Sequence, residues 1–207
     1  MRRGRRKYFS HVIESRDLMD KGRIIFLNGV TSSGKTSIAK AIQNISREHI
    51  YHLSNDMFHG LERQMINEKL VEEAHIGEYM AESIVLMYHA ARVLAEQGTS
   101  IVIDGMLIED DGFAAKYRQS HYKIMQDILS GFNIIMVEVL CPLEECRRRN
   151  IARGDRDENQ SHEQNKLMNT TVNYDLSIDT YAETVEECSR KILQFYLRND
   201  YNGGVPC

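Results

Sequence analysis

Apolar residues recur along this chain in two rhythms. Short continuous runs stand at Arg23–Asn28 (centred on Ile24-Ile25-Phe26-Leu27), Ile50–Ser54, Ser100–Asp104 and Asn133–Leu140, with a shorter one at Leu176–Asp179. Runs of about four to eight residues, rich in branched side chains, are what strands buried on both faces require. Between them the spacing lengthens to three and four, the period of a helix with one buried side. Ile38, Ala39, Ala41, Ile42 and Ile45 predict a helix to about Arg47. Met80, Ile84, Met87, Tyr88, Ala91, Leu94 and Ala95 predict another, stopped by Gly98. A third runs from Phe113 to Leu129 and closes at Gly131. A fourth takes Pro142 as its first residue and continues to about Ala152. Thr184-x-x-Glu187 reads as a capping box for a last helix that turns Val185, Cys188, Ile192 and Tyr196 inward. Two stretches follow neither rhythm. Met57 to Glu78 is irregular and methionine-rich, its Met57, Phe58, Leu61, Met65 and Ile66 either lining a pocket or packing beneath a mobile segment. Arg153–Gln160 is polar and mobile in character.

Strands alternating with helices predict an α/β fold, a parallel sheet with helices on both faces. Right-handed crossovers then gather the strand-to-helix loops at one sheet edge, where ligands bind in such folds. The first of those loops carries a motif. Gly29-Val30-Thr31-Ser32-Ser33-Gly34-Lys35-Thr36 reads G-x-x-x-x-G-K-T, between a buried-type strand and an amphipathic helix. The glycines let successive backbone N–H groups turn toward phosphate oxygens, and the helix N-terminus faces the same anion. Lys35 supplies a mobile charge for the β- and γ-phosphates, and the Thr36 hydroxyl is a ligand for Mg²⁺. The chain is therefore expected to have the P-loop NTPase fold, nucleoside-kinase-like, and to bind a nucleoside triphosphate.

Phosphoryl transfer further needs a metal anchor, a positioned acceptor and cations on the moving charge. Asp104 ends the apolar run Ile101-Val102-Ile103 and can reach the Mg²⁺ shell, with a turn cap as the alternative. Asp56 ends the second strand, where it is placed to accept a proton from a substrate hydroxyl or to cap the segment beginning at Met57. Arg149, Arg153 and Arg156 follow R-x-x-x-R-x-x-R; Arg149 and Arg153 share a helix face, suited to stacking on a base or forking onto phosphates. Arg153 and Arg156 flank Gly154 and read as a hinged lid, although Glu144 and Glu145 one turn earlier offer plain surface partners. The histidines show no metal-ligand spacing and read as pocket or surface residues. Tyr174 and Tyr181 flank the last run, bordering the base pocket or packing in the core.

Composition narrows this little. At 207 residues, 42% hydrophobic and 27% charged, the chain suits one soluble domain, set at 22–199 with a small lid at about 153–165. Residues 1–21 form a basic extension and 200–207 a flexible tail. A formal net charge of -4 argues against a general nucleic-acid binder, but the Arg2–Lys7 arm suits an anionic partner such as RNA or a membrane surface, or is a solvated tail. No secretory signal or membrane-length apolar stretch is present. The four cysteines form no C-x-x-C pair; Cys141 and Cys188 read as core residues, and a reducing cytoplasm fits.

Taken together, the Arg23–Thr36 strand and loop, Asp56, the Ile101–Asp104 strand and above all Ala152-Arg153-Gly154-Asp155-Arg156 resemble the chloramphenicol phosphotransferase-like family of small P-loop kinases. Tyr174-Asp175, Ile178-Asp179-Thr180 and Glu187-Cys188 extend the likeness, which spans residue 22 to about 197. The resemblance implies ATP- and Mg²⁺-dependent phosphorylation of a hydroxyl on a small molecule. It also implies Asp56 as base and Arg153 and Arg156 in a lid, as in adenylate and shikimate kinases. The chain departs from the family pattern with Asn169-Thr170 where a His is expected and Gly105 where a second acid can follow Asp104. The acceptor stretch Met57–Ile66 holds only Arg63 as a cation, which points to a neutral, partly apolar acceptor. The competing readings are a nucleotide or nucleotide-sugar kinase, including toxin-like kinases, and a nucleotide-dependent switch or RNA-associated ATPase using the basic arm.

Overall fold

The five apolar runs become the five strands of one sheet. The computed structural model describes residues 21–68, 75–109 and 119–198. Its strands are β1 (Ile24–Asn28), β2 (Ile50–Ser54), β3 (Ser100–Gly105), β4 (Ile134–Leu140) and β5 (Leu176–Asp179). They lie in the order β2-β3-β1-β4-β5 with every neighbour parallel. The helices are α1 (Lys35–Ile45), α2 (Asn55–Asn67), α3 (Ile76–Glu96), α4 (His121–Ile128), α5 (Leu143–Arg153), α6 (Gln160–Leu167) and α7 (Val185–Arg198).

Successive side chains of a strand point to opposite faces, so a run covered on both sides must be apolar throughout. In β1, Ile24 and Phe26 pack with Met87, Tyr88 and Ala91 of α3 and Ile124 and Met125 of α4. Ile25 and Leu27 face the other way, onto Ile38 and Ile42 of α1 and Cys188 and Ile192 of α7. Pairing of Leu27 and Ser54 with Asp104, and of Leu140 with Asp179, brings the ends of all the strands to one edge. The phosphate loop, Asp56, Asp104 and Thr180 consequently emerge together.

Several boundaries differ from the expected ones. Met57 onward is not irregular: α2 begins directly after β2. Ser54 Oγ accepts from Met57 N at 3.2 Å and so caps it. The spacing of Met57, Phe58, Leu61 and Met65 had the helical period, which the methionine content and Gly60 obscured. The remainder of that stretch, 69–74, lies outside the described residues, as do 113–118 of the expected third helix. The described part of that helix starts at His121, because the Ser120 hydroxyl accepts from Lys123 N at 3.3 Å. Pro142 stands one position before its helix rather than inside it: its ψ of 135° is extended, while its carbonyl takes the first helical N–H, that of Cys146, at 3.0 Å. Val185 is 38% exposed at the first turn of α7 instead of facing inward, unlike buried Cys188, Ile192 and Tyr196. The capping box is present, Thr184 N and Glu187 N each donating to the other's side chain at 2.9 and 3.2 Å.

The polar stretch after Arg153 also holds a helix that no apolar rhythm announced. α6 is fixed from outside. At its start Asn150 Nδ2 donates to Glu158 O and Ser161 Oγ, both at 3.4 Å. At its end Glu109 N donates to Leu167 O at 3.0 Å, Asn169 N donates to Leu107 O at 2.9 Å, and Ile108 bridges Met168. Tertiary contact, not propensity, holds most short helices. The basic arm and the tail lie outside the described residues. No helix among the described residues is long and apolar enough to cross a membrane.

Gly105 has a packing reason. A Cβ there would stand 2.7 Å from Cζ of Phe26 and 3.1 Å from its Cε1, so a second acid after Asp104 has no room beside this core. Gly105→Ala is expected to cost about 1–3 kcal/mol of stability by overpacking. Urea unfolding checks it, and Phe26→Leu in the same chain should recover part of the loss.

Candidate active site

β1 delivers the chain to the loop, and Gly34, with φ of 105°, opens α1 in the left-handed region. Any larger residue there would be strained, and its Cβ would press on Thr180 Cγ2 at 3.2 Å. Ser32 also has positive φ, 57°, which is uncommon for a residue with a side chain and clusters at ligand clamps. Lys35 is folded back into the loop, Nζ donating to Gly29 O and Val30 O at 2.8 Å each. Burial pulls its ammonium below the ordinary lysine range; Asp104 and Asp56 oppose that shift. Thr36 Oγ1 donates to Asp104 Oδ2 at 2.5 Å, Lys35 Nζ is 3.8 Å from Asp104 Oδ1, and His52 Nε2 is 3.9 Å from Oδ2. Burial alone would raise the Asp104 carboxyl, but His52, Lys35 and Thr36 together hold it below its usual value. Asp104 is thus an anion at neutral pH.

Asp56 lies in the first turn of α2, and since Ser54 performs the capping, its carboxylate is left to a different partner. That partner is Arg156, whose Nη2 donates to Asp56 Oδ2. Arg149 is built into the loop: its guanidinium donates to Glu145 at 2.8 Å, Ser32 O at 3.3 Å and Thr180 O at 3.1 Å. Arg148 and Arg149 hold the Glu145 carboxyl down to about 2. Arg153 does not join Arg149. It lines the cleft but pairs with Asp155 at 3.1 Å, beyond the turn that Gly154 makes with φ of 71°. The structure therefore brings Lys35, Thr36, Asp104, Asp56, Arg149 and Arg156 to one cleft of about 840 Å³, with Arg153 at its margin.

The rest of the cleft is lined by apolar Met80, Ile84, Ile108 and Leu167 together with His59, His121 and Arg63. The Ser83 hydroxyl donates to Met80 O at 2.9 Å, so its contact with His59 Nδ1, also 2.9 Å, has the imidazole as donor. Burial lowers His59, Asp56 opposes, and Arg63, His121 and Arg156 side with burial. The unfolded chain takes that proton near 6.5, the folded chain only at lower pH. Between those values the unfolded state binds more protons, so stability falls as pH falls through that window. His59→Gln, which keeps a donor for Ser83, should flatten the difference between urea midpoints at about pH 7.5 and about 5.5.

Other expected residues fall outside the cleft. Asn28 Nδ2 donates to the Tyr174 hydroxyl at 2.6 Å, and Tyr174 packs on the core; Tyr181 is 66% exposed. Cys188 is buried, as expected, whereas Cys141 is only half-buried; Cys146, pushed up to about 12 by burial and Cys141, is the second buried cysteine, and all three are free thiols. His59, read as a pocket or surface residue, lines the cleft, and His52 stands 3.9 Å from Asp104; Gln164 carries no signal that the sequence reading used. Gln160, Gln164 and Leu167 all line the cleft, and their spacing of four and three is a helical face whose two glutamines leave no apolar period.

Residues 22–197 match the family model described as chloramphenicol phosphotransferase-like protein. The chain belongs to the chloramphenicol phosphotransferase-like family. The Mycobacterium tuberculosis (strain H37Rv) protein named "Putative O-phosphotransferase Rv2636" is 25% identical, the match covering 88% of this chain and 86% of the relative. Among solved structures, M. tuberculosis APS kinase CysC in complex with AMPPNP and APS is 19% identical with a TM-score of 0.58, covering 84% of this chain and 96% of that one. Shikimate kinase from Acinetobacter baumannii in complex with shikimate is 15% identical with a TM-score of 0.56, covering 89% and 98%. At those identities the likeness establishes the P-loop kinase fold. As a member of this family the chain is a nucleotide-using phosphotransferase whose acceptor is a hydroxyl of a small molecule.

Proposed function

We propose that the chain moves the γ-phosphoryl of Mg²⁺-bound ATP to a hydroxyl of a neutral, partly apolar small molecule. One observation carries the reading: the Lys35-Thr36-Asp104 cluster and the Asp56 carboxylate open onto the same cleft. Three features suit a triphosphate: the positive φ of Ser32, the buried Ser32 and Ser33 hydroxyls, which have no partner among the described residues, and the buried ammonium of Lys35. An adjacent hydroxyl and carboxylate, two oxygen donors, suit Mg²⁺, which takes few protein ligands alongside phosphates. Thr36 would hold it directly with Asp104 beside it, and when bound it supplies charge neutralisation at the phosphates.

Adenine is favoured over guanine by an accounting of backbone donors. From Thr180 to Thr184 every N–H is already given away, to Leu140 O, Asp179 and Glu187. The backbone of that loop, which borders the cleft, can offer a base only carbonyls, and these suit adenine's 6-amino group rather than guanine's 6-carbonyl. In transfer, Asp56 takes the proton of the acceptor hydroxyl, the acceptor oxygen bonds to the γ-phosphorus, and the bond to the β–γ bridging oxygen breaks to leave ADP. Arg156, Arg153 and Lys35 neutralise the charge that moves, and Arg149 stiffens the loop. Residues 22–199 form the kinase unit, with the lid at about 153–165, acting in a reducing cytoplasm.

Coupled ADP release with the full chain tests the reading against hydroxylated metabolites and antibiotics, nucleoside monophosphates and RNA. Release driven by a neutral hydroxyl compound is the expected result. Release driven only by RNA, and lost on deleting residues 1–7, would establish the ATPase or switch instead. Failure of the folded protein to bind Mg-ATP in calorimetry would end both.

A further inference from the structure

Gln164 of the lid helix α6 makes an unusual contact with the phosphate loop: its Oε1 accepts the backbone N–H of Thr31 at 2.6 Å. A backbone N–H can only donate, so the carboxamide oxygen must face the loop and its NH₂ must face away from it. Among the described residues Nε2 has no protein hydrogen bond, and Gln164 lines the cleft. Thr31 sits at the γ-phosphate end of the loop, because Lys35 Nζ, the group that serves the β- and γ-phosphates, is bonded to the carbonyls of the two preceding residues.

Resting on the ATP reading above, we infer that Gln164 is a further catalytic residue, donating from Nε2 to an oxygen of the γ-phosphoryl. Thr31 N–H fixes the amide plane so that the donor is aimed before the nucleotide arrives. Such a donor meets charge at the transferring group without adding a cation beside Asp56, which Arg156 already holds. Gln164 also differs from the lid arginines in kind: a carboxamide gains nothing from the α- and β-phosphates of a product that lacks the γ group.

The contrast between ADP and a β,γ-imido ATP analogue, each with Mg²⁺, tests this by calorimetry on the full chain. Gln164→Ala should weaken the imido analogue about tenfold, the scale of one hydrogen bond to a charged group, while ADP changes by less than about twofold. Gln164→Glu keeps an oxygen for Thr31 N–H but turns the donor into an anion, so it should weaken the analogue more than alanine does. If the contact were only a strap between lid and loop, glutamate would preserve it, and analogue binding by Gln164→Glu would equal or exceed that of Gln164→Ala. That result, or equal losses for ADP and the analogue, or no loss for either, overturns the inference. Unchanged ADP binding reports that each variant is folded. If wild-type protein bound neither nucleotide, the ATP reading itself would fail, a separate outcome.

Discussion

Lys35→Ala should abolish nucleotide turnover while leaving the protein folded. The ammonium is buried beside Asp104 and bonded to two loop carbonyls, a position whose desolvation depresses its own charge. Burying an ammonium is costly unless it is well paired, so the fold gains little from it. On the proposed reading its value is to the phosphates, which would meet it in a dry, preorganised setting where one donor is worth about 10²–10³ in rate. ADP release should therefore drop by at least that factor, with an unfolding midpoint close to the parent's. Retention of more than about a tenth of the parent rate would show that the ammonium does not stand on the transferring group.

Asp56→Asn should separate binding from transfer. The substitution keeps shape and removes the basic oxygen, so phosphorylation of the acceptor should fall by about two to four decades, the range of a general base. Mg-ATP affinity should hold within a few-fold, because Asp56 touches Arg156 and no part of the loop. Arg156 complicates the result in an informative way. On the proposed assignment, acceptor and arginine compete for one carboxylate in the parent, and in the variant the guanidinium would be released toward the phosphates. Binding of ATP should then be equal or slightly tighter while transfer is lost. Full activity in Asp56→Asn would remove the base assignment.

The sheet could be read from the sequence because burial on both faces leaves a strand no polar positions, and Ile24–Leu27 and Ile101–Ile103 have none. The loop was legible for a different reason: its glycines, Lys35 and Thr36 are each demanded by backbone geometry or charge, independent of context. What stayed hidden depends on partners far along the chain. α6 has one buried residue, Ser161, and is held by Asn150 and the 107–109 segment, which no local pattern reveals. The pairing of Asp56 with Arg156, 100 residues apart, is invisible for the same reason. Arg149 and Arg153 do share a helix, but Glu145 and Asp155 draw them to different partners. Spacing places side chains on a face; competition among neighbours decides where they end.

The anchoring of α6 at both ends has a mechanical consequence. A helix hung on one hinge can swing clear of a cleft, but one bonded to α5 at its start and to the strand-end segment 107–109 at its finish can only rock. Ile108, in that segment, lines the cleft where the acceptor is proposed to sit, so tilting the helix should carry that rim with it. On the proposed reading, departure of the spent nucleotide and of the phosphorylated alcohol should then be coupled through that short antiparallel bridge as one breathing movement.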